Sequence, residues 1–263
     1  MKRDLSAEEN VRNFYEGKGW DADTAGNSSD AQLWEDLRPC ARDYVAACRS
    51  KLLEFLPASG ELFLDAASGP IQYPEYLEYS RGFKKRVCVD LSQKALDQAR
   101  AKLGEKGEYV RASILELPFP DAHFDAVVSL HTIYHIAREQ QEAAVRQLVR
   151  VSKPGHRVVI VYSNPDRLLA VVKRKITGRS GSADEPLYFH AHPLSWWQRF
   201  SDDCEVELHP WRALTAQDSK RLIPDNFIGR FAFRSLLGLE KRFPEMLTRL
   251  GAYPIVVLKR KSA

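Results

Sequence analysis

Short apolar runs alternate with amphipathic stretches from about residue 60 onward, and this alternation limits the possible folds more than any other feature of the sequence. Between two of the runs, Ser92 has the character of a helix N-cap, and Ala95, Leu96 and Ala99 follow it at helical spacing. Continuous apolar strands separated by helices are typical of a parallel sheet that is covered on both faces. The runs lie near residues 61–66, 86–90, 108–111, 124–130 and 156–162.

Right-handed crossovers between such strands produce a doubly wound sheet, and such sheets bind ligands at the carboxyl ends of their strands. Two further apolar runs near 204–214 and 253–259, with a helix near 229–251 between them, extend the sheet. We therefore predict an α/β fold with a Rossmann-like, doubly wound, mostly parallel sheet of seven strands.

The sequence is predicted to form one domain with two additions. Residues 57–263 form the domain itself, with an insertion at about 164–204. Residues 1–56 are predicted to be an N-terminal helical extension that acts as a lid. Its aromatic residues Phe14, Tyr15 and Trp20 precede a polar stretch, and this pattern suits a cover over a ligand.

The composition excludes several classes of function. The net charge of +4 is spread along the chain rather than concentrated in a stripe, which argues against a nucleic-acid partner. No His/Cys cluster has zinc spacing, and the spacing of His131 and His135, which could suit a metal, comes without a nearby carboxylate, so no metal is predicted. No leader or spanning segment is recognisable, so the sequence predicts a cytoplasmic protein without stable membrane insertion. An apolar and then basic helix near 167–176 could touch an anionic membrane, although simple packing also explains it.

Two acidic residues mark the ends of the first two predicted strands. Asp65 precedes the loop Ala66–Pro70, and Asp90 follows 25 residues after Asp65. A carboxylate at the end of the second strand can accept hydrogen bonds from both hydroxyls of a ribose. These residues alone indicate a nucleotide-like ligand, and they also fit a nicotinamide enzyme or a plain turn capped by a carboxylate.

The stretch from Leu117 to Asp125, LPFPDAHFD, and the turn Lys153-Pro154-Gly155 are more specific. With the two acidic positions in the same order, residues 60–162 resemble the class I S-adenosylmethionine (SAM)-dependent methyltransferases, in particular their small-molecule, ubiquinone/menaquinone-biosynthesis-like branch. The sequence departs from the family in the first loop. Only Gly69 of the three usual glycines is present, and Ala67 and Ile71 stand in the other two places.

The resemblance implies that SAM is the cofactor. Ser113 stands where the family usually has the Asp that accepts a hydrogen bond from the adenine amino group, and a hydroxyl can still accept that bond. The predicted cofactor contacts are Tyr15, Asp65, Ala67, Ser68, Gly69, Asp90, Leu91, Ser113, Ile114 and Leu130.

The acceptor site is predicted just after the fourth strand. His131 and His135 are candidate general bases, because a histidine with an ordinary pKa suits proton removal near neutrality, although packing or capping roles are equally open. The sequence thus favours methyl transfer, preferably to oxygen, on a small or medium-sized molecule. The alternatives are a degenerate domain that binds a partner without catalysis and, less favoured, a nucleotide-dependent oxidoreductase. Predicted acceptor contacts are Tyr134, His190, His192 and Trp196.

Overall fold

The computed structural model describes residues 6–24, 27–177 and 187–262. Most of the Gly/Ser-rich part of the predicted insertion lies outside these ranges. Seven strands form one sheet in the order β3-β2-β1-β4-β5-β7-β6. The strands are β1 (Gly60–Ala66), β2 (Phe83–Asp90), β3 (Gly107–Arg111), β4 (Ala126–Leu130), β5 (Arg157–Val161), β6 (Cys204–Arg212) and β7 (Tyr253–Arg260).

Neighbouring strands from β3 to β5 run parallel, and β7 runs antiparallel to both β5 and β6. The predicted mostly parallel, doubly wound sheet of seven strands is confirmed. The α-helices are α1 (Ala7–Phe14), α2 (Ser29–Trp34), α3 (Arg42–Ser50), α4 (Pro74–Glu78), α5 (Gln93–Leu103), α6 (Gln141–Val151), α7 (Leu168–Thr177), α8 (Ala216–Leu222), α9 (Phe227–Arg242) and α10 (Pro244–Leu250).

The helix predicted near 229–251 is in fact two helices, α9 and α10. Pro244 is the first residue of α10. Proline has no N–H to donate and is favoured at the start of a helix, so a new helix begins here. No helix within the described ranges has the length and apolar character needed to cross a bilayer.

Alternate residues of the central strands fill two apolar cores, one on each face of the sheet. Leu64 and Val127 belong to the core under α6, whereas Phe63 and Val128 belong to the core under α3 and α9. Because both faces are covered, these strands read as continuous apolar runs in the sequence.

The predicted N-terminal extension divides into two parts that pack differently. Residues of α3, including Tyr44 and Cys48, are buried in the core beneath the sheet. The preceding residues 6–24 and 27–34, here called the N-terminal cover, lie across the carboxyl edge of the sheet instead. Glu16 in the cover accepts hydrogen bonds from the Gln93 amide and from Arg111, both at 2.9 Å.

Candidate active site at the carboxyl edge of the sheet

A cavity of about 850 Å³ opens where the parallel strands end, beneath the N-terminal cover. The ends of β1, β2 and β4 bring Asp65, Asp90 and Leu130 to its wall. Every residue predicted to contact the cofactor lies on this wall, and so do His131, Tyr134, His135 and His190. One cavity therefore contains all the predicted cofactor contacts and part of the predicted acceptor group.

The loop after β1 keeps a left-handed backbone at three alternate positions. Ala67, Gly69 and Ile71 have φ values of 59°, 53° and 50°. This region favours glycine, and a β-branched residue is rare there. Neighbouring contacts hold the loop in place: the Ser68 amide donates to the Val89 carbonyl at 3.0 Å, and Ile71 is buried in a core with Cys88. Members of the similar family usually have glycine at all three positions. This chain forms a left-handed turn there with glycine at only one of them, Gly69.

Ala67→Gly is expected to stabilise the protein by about 0.5–1 kcal/mol. A left-handed non-glycine residue costs about 1–2 kcal/mol, and part of that gain is offset by the greater freedom of glycine in the unfolded chain. Urea unfolding measures the change. The control is Ala101→Gly on the exposed side of α5, which is expected to destabilise by about 0.5–1 kcal/mol. Equal destabilisation by both variants would contradict strain at Ala67.

Asp90, the last residue of β2, is a buried carboxylate that holds the loop after β1. Its oxygens accept hydrogen bonds from the Gly69 amide at 2.8 Å and from the Ser92 amide at 2.9 Å. Burial raises the pKa of Asp90 to about 6, although both amides favour the charged form. Each carboxylate oxygen has a second lone pair, so Asp90 can also accept from a ligand in the cavity.

Aromatic rings of the N-terminal cover close over this loop. Tyr15 stacks on Trp20 with ring centroids 4.6 Å apart, and its hydroxyl donates to Asp30 at 2.9 Å. The Trp20 ring approaches Gly69 so closely that an added Cβ would lie 3.1 Å from it. Only glycine at position 69 allows this approach without a shift of the ring.

Glu8 lines the cavity, although no sequence pattern indicated it. The Ser113 hydroxyl donates a hydrogen bond of 2.6 Å to the Glu8 carboxylate, and both residues line the cavity. A carboxylate from the N-terminal cover thus lies beside the position where the resemblance leads one to expect an acid. No local pattern connects residues 8 and 113, so only the tertiary structure could reveal the pair.

Asp65 has a different environment from the one predicted. Its carboxylate accepts hydrogen bonds from Arg86, whose Nε lies 3.2 Å away, and both side chains are buried. Asp65 still lines the cavity, but much of its charge is already neutralised. The contact between Asp65 and the amino end of a cofactor remains a prediction. Because Arg86 is already paired with Asp65, the attraction of Asp65 for a cationic ligand is expected to be weaker.

The candidate bases follow β4 directly. His131 has a left-handed backbone with φ of 57°, and its Nδ1 lies 2.9 Å from the Tyr134 hydroxyl. Burial, followed by the nearby charge of Arg212, lowers the pKa of His131 to about 3. Burial also lowers the pKa of His135 to about 4, and its Nδ1 donates to the Tyr188 carbonyl at 2.7 Å. Both rings are neutral at pH 7 and are weak proton acceptors.

The predicted acceptor segment 190–197 contributes only in part. The His190 amide donates to the Tyr134 carbonyl at 2.8 Å, and this bond places His190 on the cavity wall. His192 and Trp196 are not on that wall. Their rings stack on each other at 4.6 Å, and Trp196 is buried in the core under α6, so the structure does not bring either residue to the cavity.

A buried ion pair forms another part of the wall and was also missed. Both terminal nitrogens of Arg212 donate to the carboxylate of Glu35, each at 3.0 Å. Burial acts to raise the pKa of Glu35, but Arg212 and then Arg49 hold it below its ordinary value. Because Glu35 and Arg212 are far apart in the chain, no sequence motif predicts that they pair.

Within residues 6–24, 27–177 and 187–262, no group of three or more His, Cys, Asp or Glu side chains is arranged to hold a metal ion.

Comparison with known proteins agrees with this geometry. Residues 64–160 match a family model described as a methyltransferase domain. The ubiquinone/menaquinone biosynthesis C-methyltransferase UbiE of Shewanella woodyi is 32% identical over 113 residues, which cover 40% of this chain and 44% of that relative. UbiE of Pseudomonas putida F1 is 35% identical over 89 residues, covering 32% and 34% of the two chains. The matched part thus spans less than half the length of either relative.

Solved structures share the fold over nearly the whole chain. Magnesium protoporphyrin IX methyltransferase (ChlM) of Synechocystis PCC 6803, solved with bound S-adenosylhomocysteine, has a TM-score of 0.60 and 16% identity, covering 95% of this chain and 98% of that one. The [4+2]-cyclase SpnF has a TM-score of 0.59 and 16% identity, covering 98% of both chains. Residues 64–160 of this chain thus match a methyltransferase domain, and the chain shares the fold of a solved methyltransferase.

Proposed function

We propose that the protein transfers the methyl group of SAM to a small or medium-sized aromatic acceptor, preferably to an oxygen atom. The observation that carries the proposal is the single cavity, which joins the Asp90 loop to the wall containing His131 and Tyr134. Methyl transfer from a sulfonium is an in-line displacement, so the main requirement is that both reactants are held in one enclosed space.

The residues at the loop end of the cavity fit SAM. Asp90 can accept hydrogen bonds from ribose hydroxyls, and its charge suits a cationic cofactor. Glu8, already bonded to Ser113, offers a charged acceptor for an exocyclic amino group. The left-handed loop at Ala67 and Gly69 brings backbone close to the ligand. When bound, SAM supplies an activated methyl group, and these side chains position it.

The acceptor end of the cavity is aromatic. Tyr134 and Phe189 lie with ring centroids 5.1 Å apart, and Trp34, Tyr76 and Tyr253 also line the wall. Such a surface suits a flat acceptor. Because His131 and His135 have pKa values of about 3 and 4, they are poorly matched to removing a proton from an ordinary alcohol. The acceptor class that fits is a phenol or enol that is acidic enough to ionise near neutral pH without a base.

A phenolate or enolate is nucleophilic at oxygen and at the adjacent carbon. The preference for oxygen follows from the sequence alone, whereas the relatives named above are C-methyltransferases. Incubation with SAM carrying a ¹³C-methyl group and a panel of phenols and enols, followed by NMR of the products, distinguishes the two atoms. Calorimetric titration with SAM, S-adenosylhomocysteine and NAD tests the cofactor separately. Binding of NAD without SAM would overturn the proposal.

His131→Ala and His135→Ala are each expected to lower kcat by less than about tenfold, with the SAM dissociation constant unchanged. The reason is that a weak base contributes little when the acceptor ionises unaided. Steady-state kinetics on the identified acceptor measures the effect. Asp121→Ala, an exposed change outside the cavity, serves as the control. A loss of about 10²–10⁴-fold in either histidine variant would instead identify a general base.

A further inference from the structure

Four large apolar side chains project from the corner between α8 and α9. The exposed fractions are 60% for Leu222, 73% for Phe227, 53% for Ile228 and 72% for Phe231. Single exposed apolar residues are ordinary, but a group of this size on adjacent turns marks a surface that binds something. These four residues are here called the α8–α9 corner.

The corner is held in shape by the start of α9. The Asn226 side chain accepts hydrogen bonds from the Ile228 and Gly229 amides at 2.9 Å and 3.2 Å, which fixes the first turn. Gly229 packs against the Pro224 carbonyl, where an added Cβ would lie 1.9 Å away. The helix therefore buries its Gly229 and Phe233 side and holds Phe227 and Phe231, one turn apart, outward.

Cations outnumber carboxylates around the corner, where Asp225 is exposed and Asp218 is half-buried. Lys220, Arg221, Arg230 and Arg234 are exposed on the same two helices. The carboxylate of α9, Glu240, is 1% exposed and is paired with Lys51 beneath the sheet. Four exposed cations against one exposed carboxylate therefore lie beside Phe227 and Phe231.

The same combination continues at the rim of the cavity. Arg167, just before α7, lies 3.7 Å from Asp218 in α8, which ties the two helices together. Helix α7 exposes Leu168 (49%), Val172 (42%) and Ile176 (78%) between basic residues, and it contains no acidic residue. Both α7 and the first turn of α8 also contribute to the cavity wall.

We propose that the α8–α9 corner docks the protein on an anionic lipid surface, with α7 as a second contact at the cavity rim. Exposed aromatic and aliphatic side chains enter the interface between headgroups and acyl chains, and the surrounding cations pair with anionic headgroups. A second copy of this chain is disfavoured as occupant, because a symmetric contact would set these cations against one another.

Docking of this kind places the cavity mouth beside the lipid. Resting on the proposed function, it further indicates that the aromatic acceptor is apolar and is drawn from the lipid phase. The docking itself does not depend on methyl transfer, because the corner residues lie outside the cavity wall. The two proposals can therefore fail separately.

The test is flotation with vesicles of phosphatidylcholine alone and with vesicles that also contain phosphatidylglycerol. The full chain is expected to float with the anionic vesicles and to be released by added salt. The double variants Phe227→Ser/Phe231→Ser and Arg230→Glu/Arg234→Glu are each expected to reduce vesicle partitioning by about tenfold or more. SAM affinity measured on the same samples should stay at the wild-type value, which shows that the variants are folded.

Leu53→Ser is the matched control, since Leu53 is 41% exposed in the turn after α3 and belongs to another surface. It should float like the wild type. Absence of flotation with anionic vesicles, or equal flotation of the Phe227→Ser/Phe231→Ser variant, would overturn the proposal. Light scattering that shows a dimer abolished by the same variant would assign the corner to a second copy instead.

Discussion

Asp90→Ala is expected to weaken SAM binding by about 10- to 150-fold, since hydrogen bonds to a charged group contribute about 1.5–3 kcal/mol. The substitution removes the acceptor for the ligand and also leaves the Gly69 and Ser92 amides without their partner. Calorimetric titration measures the dissociation constant. Asp97→Ala, an exposed change on the following helix, is the control and should bind normally.

The affinity should also depend on pH. Because the pKa of Asp90 is about 6, its carboxyl gains a proton and loses its charge as the pH falls through that value, so SAM binding should weaken below pH 6. Asp30 also has a pKa of about 6, so Asp30→Asn is measured beside Asp90→Asn to assign the effect. An unchanged dissociation constant in Asp90→Ala would remove Asp90 from the cofactor site.

Arg212→Met is expected to lower the free energy of unfolding by about 3–5 kcal/mol. Arg212 and Glu35 are 4% and 7% exposed, and loss of one partner leaves a buried charge without its compensation. Arg49, at 3.7 Å from Glu35, replaces only part of the lost interaction. Urea unfolding followed by tryptophan fluorescence measures the change.

Two comparisons make the result specific to the buried pair. The double variant Arg212→Met/Glu35→Gln should recover much of the loss, because no charge is then left uncompensated. Lys259→Met breaks the exposed pair with Glu205, 3.1 Å apart, and should cost less than about 1 kcal/mol. If Arg212→Met costs no more than Lys259→Met, the buried pair is not a major source of stability.

The sheet could be predicted because its signal is local and periodic. Continuous apolar runs such as the one ending at Leu130 identify buried strands, and Ser92 caps α5 as expected, accepting from the Ala95 amide at 3.2 Å. The loop after β1 was predicted from Asp65, Gly69 and Asp90, because such a loop must lie at the strand ends whatever its exact residues. The predicted sheet and the family resemblance together indicated a ligand site at the carboxyl ends of the strands, where the cavity lies.

The parts that were not predicted depend on contacts between distant segments. Glu8 meets Ser113, and Glu35 meets Arg212, across more than a hundred residues of chain. The weak basicity of His131 was likewise invisible, because its burial comes from rings on β6 and β7. A sequence pattern records which residues share an element, not which elements meet.

The N-terminal cover has a consequence for the time course of the reaction. A ligand resting on Asp90 lies beneath Tyr15 and Trp20, and these rings are anchored by the hydroxyl bond to Asp30. We expect spent cofactor to leave past the same rings before a fresh molecule enters. We therefore expect release of the product, rather than methyl transfer, to limit the steady-state rate. The first turnover should then be faster than those that follow.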